Sequence, residues 1–123
     1  MALRALVNAR VLAGDGFRDD LAVLLDDAGD IAALVPAGQA RLQAGEVRDL
    51  QGGWLLPGFI DAQVNGGGGV LFNNDATVEA IAAIGRAHRR FGTTGFLPTL
   101  ISDEAPVMAR AVDATRAATR RRC

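Results

Sequence analysis

From Pro57 onward the chain switches between two hydrophobic periodicities, and that switching restricts it to few folds. Phe59 to Val64 is apolar with little alternation, which predicts a strand covered on both faces. Asn65 and the glycines Gly66 to Gly69 end it. A helix follows, with Asp75 as N-cap and Val78, Ile81, Ala82 and Gly85 on one face. Arg86, Arg89 and Arg90 suit its negative end, and Gly92 stops it. A second strand, Thr93 to Leu97, ends at Pro98-Thr99. Ser102 then caps a second helix, with Asp103 and Glu104 in its first turn and Pro106 early enough to be tolerated. Val107, Met108, Ala111, Val112, Thr115 and Ala118 form its expected inner face, and Arg120 to Arg122 its solvated end. The order strand, helix, strand, helix is that of a parallel α/β sheet.

Before Pro57 the pattern differs. Leu3 to Leu12, Leu21 to Asp26, Asp30 to Val35 and Val47 to Leu50 read as short strands. Asp27-Ala28-Gly29 predicts a hairpin turn between the second and third. Gly52-Gly53 is expected to break the last strand. Only Ala37 to Ala44 carries a helical period, which Gly38 and Gly45 weaken. The expected division is a small β domain over residues 1–55 and an α/β portion over 56–123.

Composition excludes several function classes. With 22% charged residues and a formal charge of -1, the chain lacks the basic footprint of a nucleic-acid binder and the polybasic patch of a membrane-surface protein. No apolar run reaches the length of a bilayer span, and the first residues lack the apolar core of a signal peptide. The expectation is a cytoplasmic protein. The lone Cys123 cannot form an internal disulfide, which fits a reducing compartment; beside three arginines at the chain end it reads as inert. All thirteen basic residues are arginine, so no lysine can form a Schiff base or a metal-bridging carbamate.

In a parallel barrel the working face is the C-terminal end of the strands. Gln63 and Asn65 fall there on the first strand, two residues apart and so on one side. Thr99 falls at the equivalent level of the second. These neutral groups orient a sugar hydroxyl or a water, are poor metal ligands, and do no general acid–base work near neutrality. For Gln63 and Asn65 two readings stand: they line a site, or they shape the loop. Gly66 to Gly69 reads as a tight loop sooner than a phosphate cradle, because no Gly-x-x-x-x-Gly-Lys text follows. His88 is the single histidine and reads as structural, with no second ligand beside it. Asp61 reads as a hydrogen-bonded structural carboxylate before a catalytic one.

Two stretches carry a family resemblance: Leu56-Pro57-Gly58-Phe59-Ile60-Asp61-Ala62-Gln63-Val64-Asn65-Gly66 and Phe91-Gly92-Thr93-Thr94-Gly95-Phe96-Leu97-Pro98-Thr99. They resemble the opening of the N-acetylglucosamine-6-phosphate deacetylases of the amidohydrolase superfamily, whose one-metal branch has Gln-x-Asn-Gly where many amidohydrolases have His-x-His. The resemblance implies part of a small β-sandwich over 1–55, followed by the first two strand–helix units of a (β/α)₈ TIM-type barrel over 56–123. It implies hydrolysis of N-acetylglucosamine 6-phosphate to glucosamine 6-phosphate and acetate in amino-sugar catabolism, with a sugar-phosphate substrate. It also implies one divalent metal, zinc or iron, in a full-length protein that is compatible with a homodimer.

The family holds its metal through a glutamate in a His-Leu-Glu-Gly-Pro text and two later histidines, and uses an aspartate as base. None of these four has a counterpart here. The chain therefore reads as an N-terminal fragment, inactive by itself, with no catalytic or metal-binding residue of its own and no metal expected on it. Gln63, Asn65 and Thr99 are its candidate substrate-site residues. The rival readings are another amidohydrolase of the dihydroorotase or hydantoinase kind, against which the missing His-x-His counts, and a non-enzymatic remnant or interaction module.

Overall fold

A computed structural model of the chain describes residues 2–121, without the side chain of Arg121. It divides into two compact units, Met1–Pro57 and Gly58–Cys123. Arg122 and Cys123, assigned above to a helix end and to an inert thiol, lie outside the described residues.

The first unit is one mixed five-stranded sheet with a short helix on it. Its strands are β1 (Arg4–Ala13), β2 (Gly16–Arg18), β3 (Leu21–Leu25), β4 (Ile31–Pro36) and β5 (Glu46–Leu55), with helix α1 (Ala37–Gln43) between the last two. Strand β1 pairs antiparallel with β2 and β3, and parallel with β5. The β3–β4 hairpin forms as expected, with Gly29 at φ 88° in its turn. The helical period at Ala37 to Ala44 forms α1, despite Gly38. Two features differ: β2 has no counterpart among the expected strands, and β5 runs through Gly52-Gly53 instead of breaking there.

The continuation of β5 has its cause in the pairing with β1. The register between β1 and β5 shifts between Val7 and Ala9. Asn8 and Gln51 both sit at φ 55°, and Gly52 at φ 78°. The Asp49 carboxylate accepts from the Asn8 side-chain amide at 2.9 Å and from the Gln51 N–H at 2.7 Å. The glycines thus feed a bulge, not a break. A bulge also reverses which face later residues use. Ala5 and Val7 pack with Ala22, Leu24 and Ala40, whereas Ala9 and Val11 pack with Val23 and Leu6. The unbroken alternation Ala5, Val7, Ala9, Val11 therefore serves two cores.

The second unit contains β6 (Phe59–Val64), the two-residue strands β7 (Gly66–Gly67) and β8 (Val70–Leu71), α2 (Val78–Arg89), β9 (Thr93–Pro98) and α3 (Ala105–Arg121). Strands β6 and β9 pair in parallel across α2, as the alternating periodicity predicts. Val64, Phe72, Ile81, Ile84, Ala111, Ala114 and Ala118 form the core.

Four details depart from the sequence reading. The α2 cap is Thr77, whose hydroxyl accepts from the Ala80 N–H at 3.1 Å, and not Asp75. Helix α3 starts at Ala105, after Ser102, and holds no acidic residue in its first turn. Its buried face is Ala111, Ala114 and Ala118, while Met108 and Val112 are exposed. The expectation of a strand covered on both faces also fails for β6, where Phe59 is 62% and Ile60 80% exposed and Val64 alone is buried. An apolar text states a capacity for burial. What covers it depends on neighbours, and among the described residues β6 has one sheet partner.

Candidate functional site at the ends of the parallel strands

The ends of β6 and β9 meet at one place. Val64 is paired with Pro98, and the Thr99 N–H donates to the Val64 carbonyl at 2.8 Å. One step further, the Asn65 side-chain amide donates to the Thr99 carbonyl at 3.4 Å. The Thr99 hydroxyl donates to the Leu97 carbonyl at 3.2 Å, so toward anything else it can only accept. Asn65 and Thr99 are thus brought together, both half-buried. Gln63 is exposed, and its N–H donates to the Asp61 carboxylate at 3.1 Å. That bond gives the Asp61 carboxylate a backbone partner within β6.

The glycine stretch is a miniature hairpin. Gly66 pairs with Leu71 and Gly67 with Val70. Gly68 and Gly69, at φ 63° and 83°, form the two-residue turn that needs positive φ twice. The Asn65 carbonyl accepts the Phe72 N–H at 2.8 Å, which closes the base of this ribbon. A side chain at Gly66 would stand 2.3 Å from the Val70 carbonyl oxygen. The tight-loop reading fits this geometry.

Asn73, which the sequence reading did not single out, ties the loop after β9. Its amide nitrogen donates to the Ile101 carbonyl at 2.8 Å and to the Asp103 carboxylate at 2.9 Å, and its oxygen accepts the Ile101 N–H at 2.9 Å. No local signal pointed to it, because its partners lie twenty-eight and thirty residues further along the chain. The Asn73 amide, and then the Glu104 N–H, hold the Asp103 carboxyl below the usual carboxylate range. A pKa depressed by folding stabilises above the unfolded value and loses that stabilisation as pH falls through the folded value. The Asn73 side-chain amide resonance is therefore expected to move as acid is added below about pH 4, and to stop moving in Asp103→Asn. A wild-type resonance that stays fixed down to pH 2 would show that the tie is absent.

Chemically the strand ends offer the amides of Gln63 and Asn65 and the Thr99 hydroxyl, all neutral, and of these the structure ties only Asn65 to Thr99. Such a set can donate to or accept from hydroxyl and amide groups through directed hydrogen bonds. It does not fit a divalent cation, and among the described residues no three of His, Cys, Asp or Glu come together to hold one. No chemical step is therefore assigned to a metal on these residues.

No family model matches the chain. An N-acetylgalactosamine-6-phosphate deacetylase of Shewanella sp. (strain ANA-3) is 54% identical over 65 residues, which is 53% of this chain and 16% of the relative. An N-acetylglucosamine-6-phosphate deacetylase of Haemophilus influenzae is 40% identical over 100 residues, 80% of this chain and 25% of the relative. The crystal structure of the N-acetylglucosamine-6-phosphate deacetylase of Pasteurella multocida superposes with a TM-score of 0.88 at 34% identity, covering 96% of this chain and 31% of that one. The chain thus spans between a sixth and a third of the length of the proteins it matches. Likeness in sequence and in fold agrees with the strand-end texts, and the chain belongs to the N-acetylglucosamine-6-phosphate deacetylases of the amidohydrolase family.

Proposed function

We propose that this chain supplies the β domain and the first two strand–helix units of a TIM-type barrel to an N-acetylglucosamine-6-phosphate deacetylase, and that it does not deacetylate by itself. In that reading residues 1–55 belong to a small β-sandwich and 56–123 open the barrel. The observation that carries the proposal is the junction of Asn65 with Thr99 at the C-terminal ends of two parallel strands, where barrel enzymes keep their sites. Gln63, Asn65 and Thr99 line the sugar end of the site. Their hydrogen bonds hold hydroxyls or the acetamide without titrating, so substrate placement stays independent of the proton that the hydrolysis moves. The metal, one divalent ion, and the general base come from parts of the protein that this chain does not contain.

A second reading of the substrate has its own support. The 54% identical relative acts on the galactosamine epimer, whereas the longer match and the solved structure are glucosamine enzymes. A chimera in which residues 1–123 replace the matching stretch of the Pasteurella multocida enzyme tests both. Acetate release from N-acetylglucosamine 6-phosphate is expected, with the galactosamine epimer slower, and none from the 123-residue chain alone. A correctly folded chimera without deacetylation would overturn the proposal, and preference for the galactosamine epimer would replace the substrate.

A further inference from the structure

His88 points away from metal chemistry and toward the loop that follows Asn65. It lies in the last turn of α2, half-buried, and its Nε2 stands 2.9 Å from the Gly66 carbonyl oxygen. A carbonyl can only accept, so Nε2 carries the proton in this contact. The ring lies nearly parallel to that of Phe96, with 23° between planes and 6.4 Å between centroids. The Nε2 and Cδ2 edge of the ring also stands close to the ribbon backbone. A Cβ at Gly67 would fall 2.7 Å from Nε2 and 2.9 Å from Cδ2, and one at Gly68 would fall 3.1 Å from the Ala87 Cβ. The glycines thus serve a second purpose beyond the turn: they let the ribbon dock on the end of α2.

We propose that His88 is a positioning residue, whose Nε2–H to the Gly66 carbonyl fixes the glycine ribbon and through it the Asn65 amide at the lip of β6. Asn65 is then held on three sides. Its carbonyl takes the Phe72 N–H, its side chain reaches the Thr99 carbonyl, and its neighbour Gly66 is pinned to α2. The relevance to substrate rests on the reading of Asn65 given under Proposed function. The latch itself does not.

The experiment uses the 123-residue chain and, separately, the chimera. In the chain, ring ¹⁵N shifts near neutral pH are expected to show a protonated Nε2. His88→Phe keeps the ring beside Phe96 and removes the donor, while His88→Gln keeps a donor. Losing one such bond should speed amide exchange at Phe72 by roughly fivefold to tenfold, relative to Ile81 inside α2. His88→Gln should return it to within about twofold of wild type. A bare Nε2, an unchanged Phe72 amide in His88→Phe, or an equal rise at Phe72 and Ile81 would overturn the latch. If His88→Phe does not fold, the ¹⁵N shifts and His88→Gln still decide. In the chimera His88→Phe should lower turnover about threefold to tenfold, with His88→Gln restoring it. An intact latch in the chain with an inactive chimera would sink only the deacetylase reading. An active chimera with no latch would sink only this one.

Discussion

Phe72→Ala is expected to unfold most of residues 58–123 while leaving residues 2–57 folded. Phe72 is 1% exposed and is the largest fully buried side chain among the described residues. It packs with Val64, Ile81 and Ile84 in the core of the second unit and belongs to neither core of the first. Truncating a buried phenylalanine costs about 3–5 kcal/mol. That is most of what a small domain has in reserve, about 5 kcal/mol at the low end. The unit is also short of cover, with Phe59, Ile60, Phe91, Leu97 and Ile101 exposed. Limited proteolysis with fragment masses reads the outcome directly, as rapid cleavage after Gly58 with the first unit protected. Phe59→Ala is the control. At 62% exposure it should change stability by less than about 1 kcal/mol. Equal resistance of Phe72→Ala and wild type to protease would show that the core lies elsewhere.

In the Pasteurella chimera, Asn65→Ala and Gln63→Ala should each slow deacetylation about tenfold to a hundredfold, the equivalent of about 1–3 kcal/mol of lost positioning. Asn65→Ala should have the larger effect. Its side chain is anchored at the Thr99 carbonyl and is half-buried, so its direction is set before substrate arrives. Gln63 is exposed and must be ordered by the ligand itself. Bound metal, measured on the same samples, should be unchanged in both, because amide groups are weak ligands for a divalent ion. Wild-type turnover in both variants would show that these residues only shape the loop. Loss of the metal would show that they are ligands.

Two things about the protein are local and were legible in the sequence. The change of period at Pro57 placed β6, α2, β9 and α3 in order, because periodicity reports the face that each segment can bury. The strand-end positions of Gln63, Asn65 and Thr99 followed from the same reasoning, whereas the family came from the resemblance of the two stretches that hold them. What escaped depends on contacts between distant residues. The bulge at Asn8 and Gln51 is set by the Asp49 carboxylate, forty-one residues from Asn8. The actual exposure of β6 is set by how many elements stand beside it, and the reading of a fully covered strand assumed neighbours that the described residues do not supply. Helix caps missed by two or three residues because several hydroxyls and carboxylates near each start can cap equally well alone. At Thr77 the hydroxyl that meets the Ala80 N–H fixes the start of α2. The link from His88 to Gly66, across twenty-two residues, needs α2 to dock before ring and carbonyl can meet. Sequence determined which segments could bury a face and which polar groups stood at their ends; only tertiary packing decided which faces were covered and which of those groups found partners.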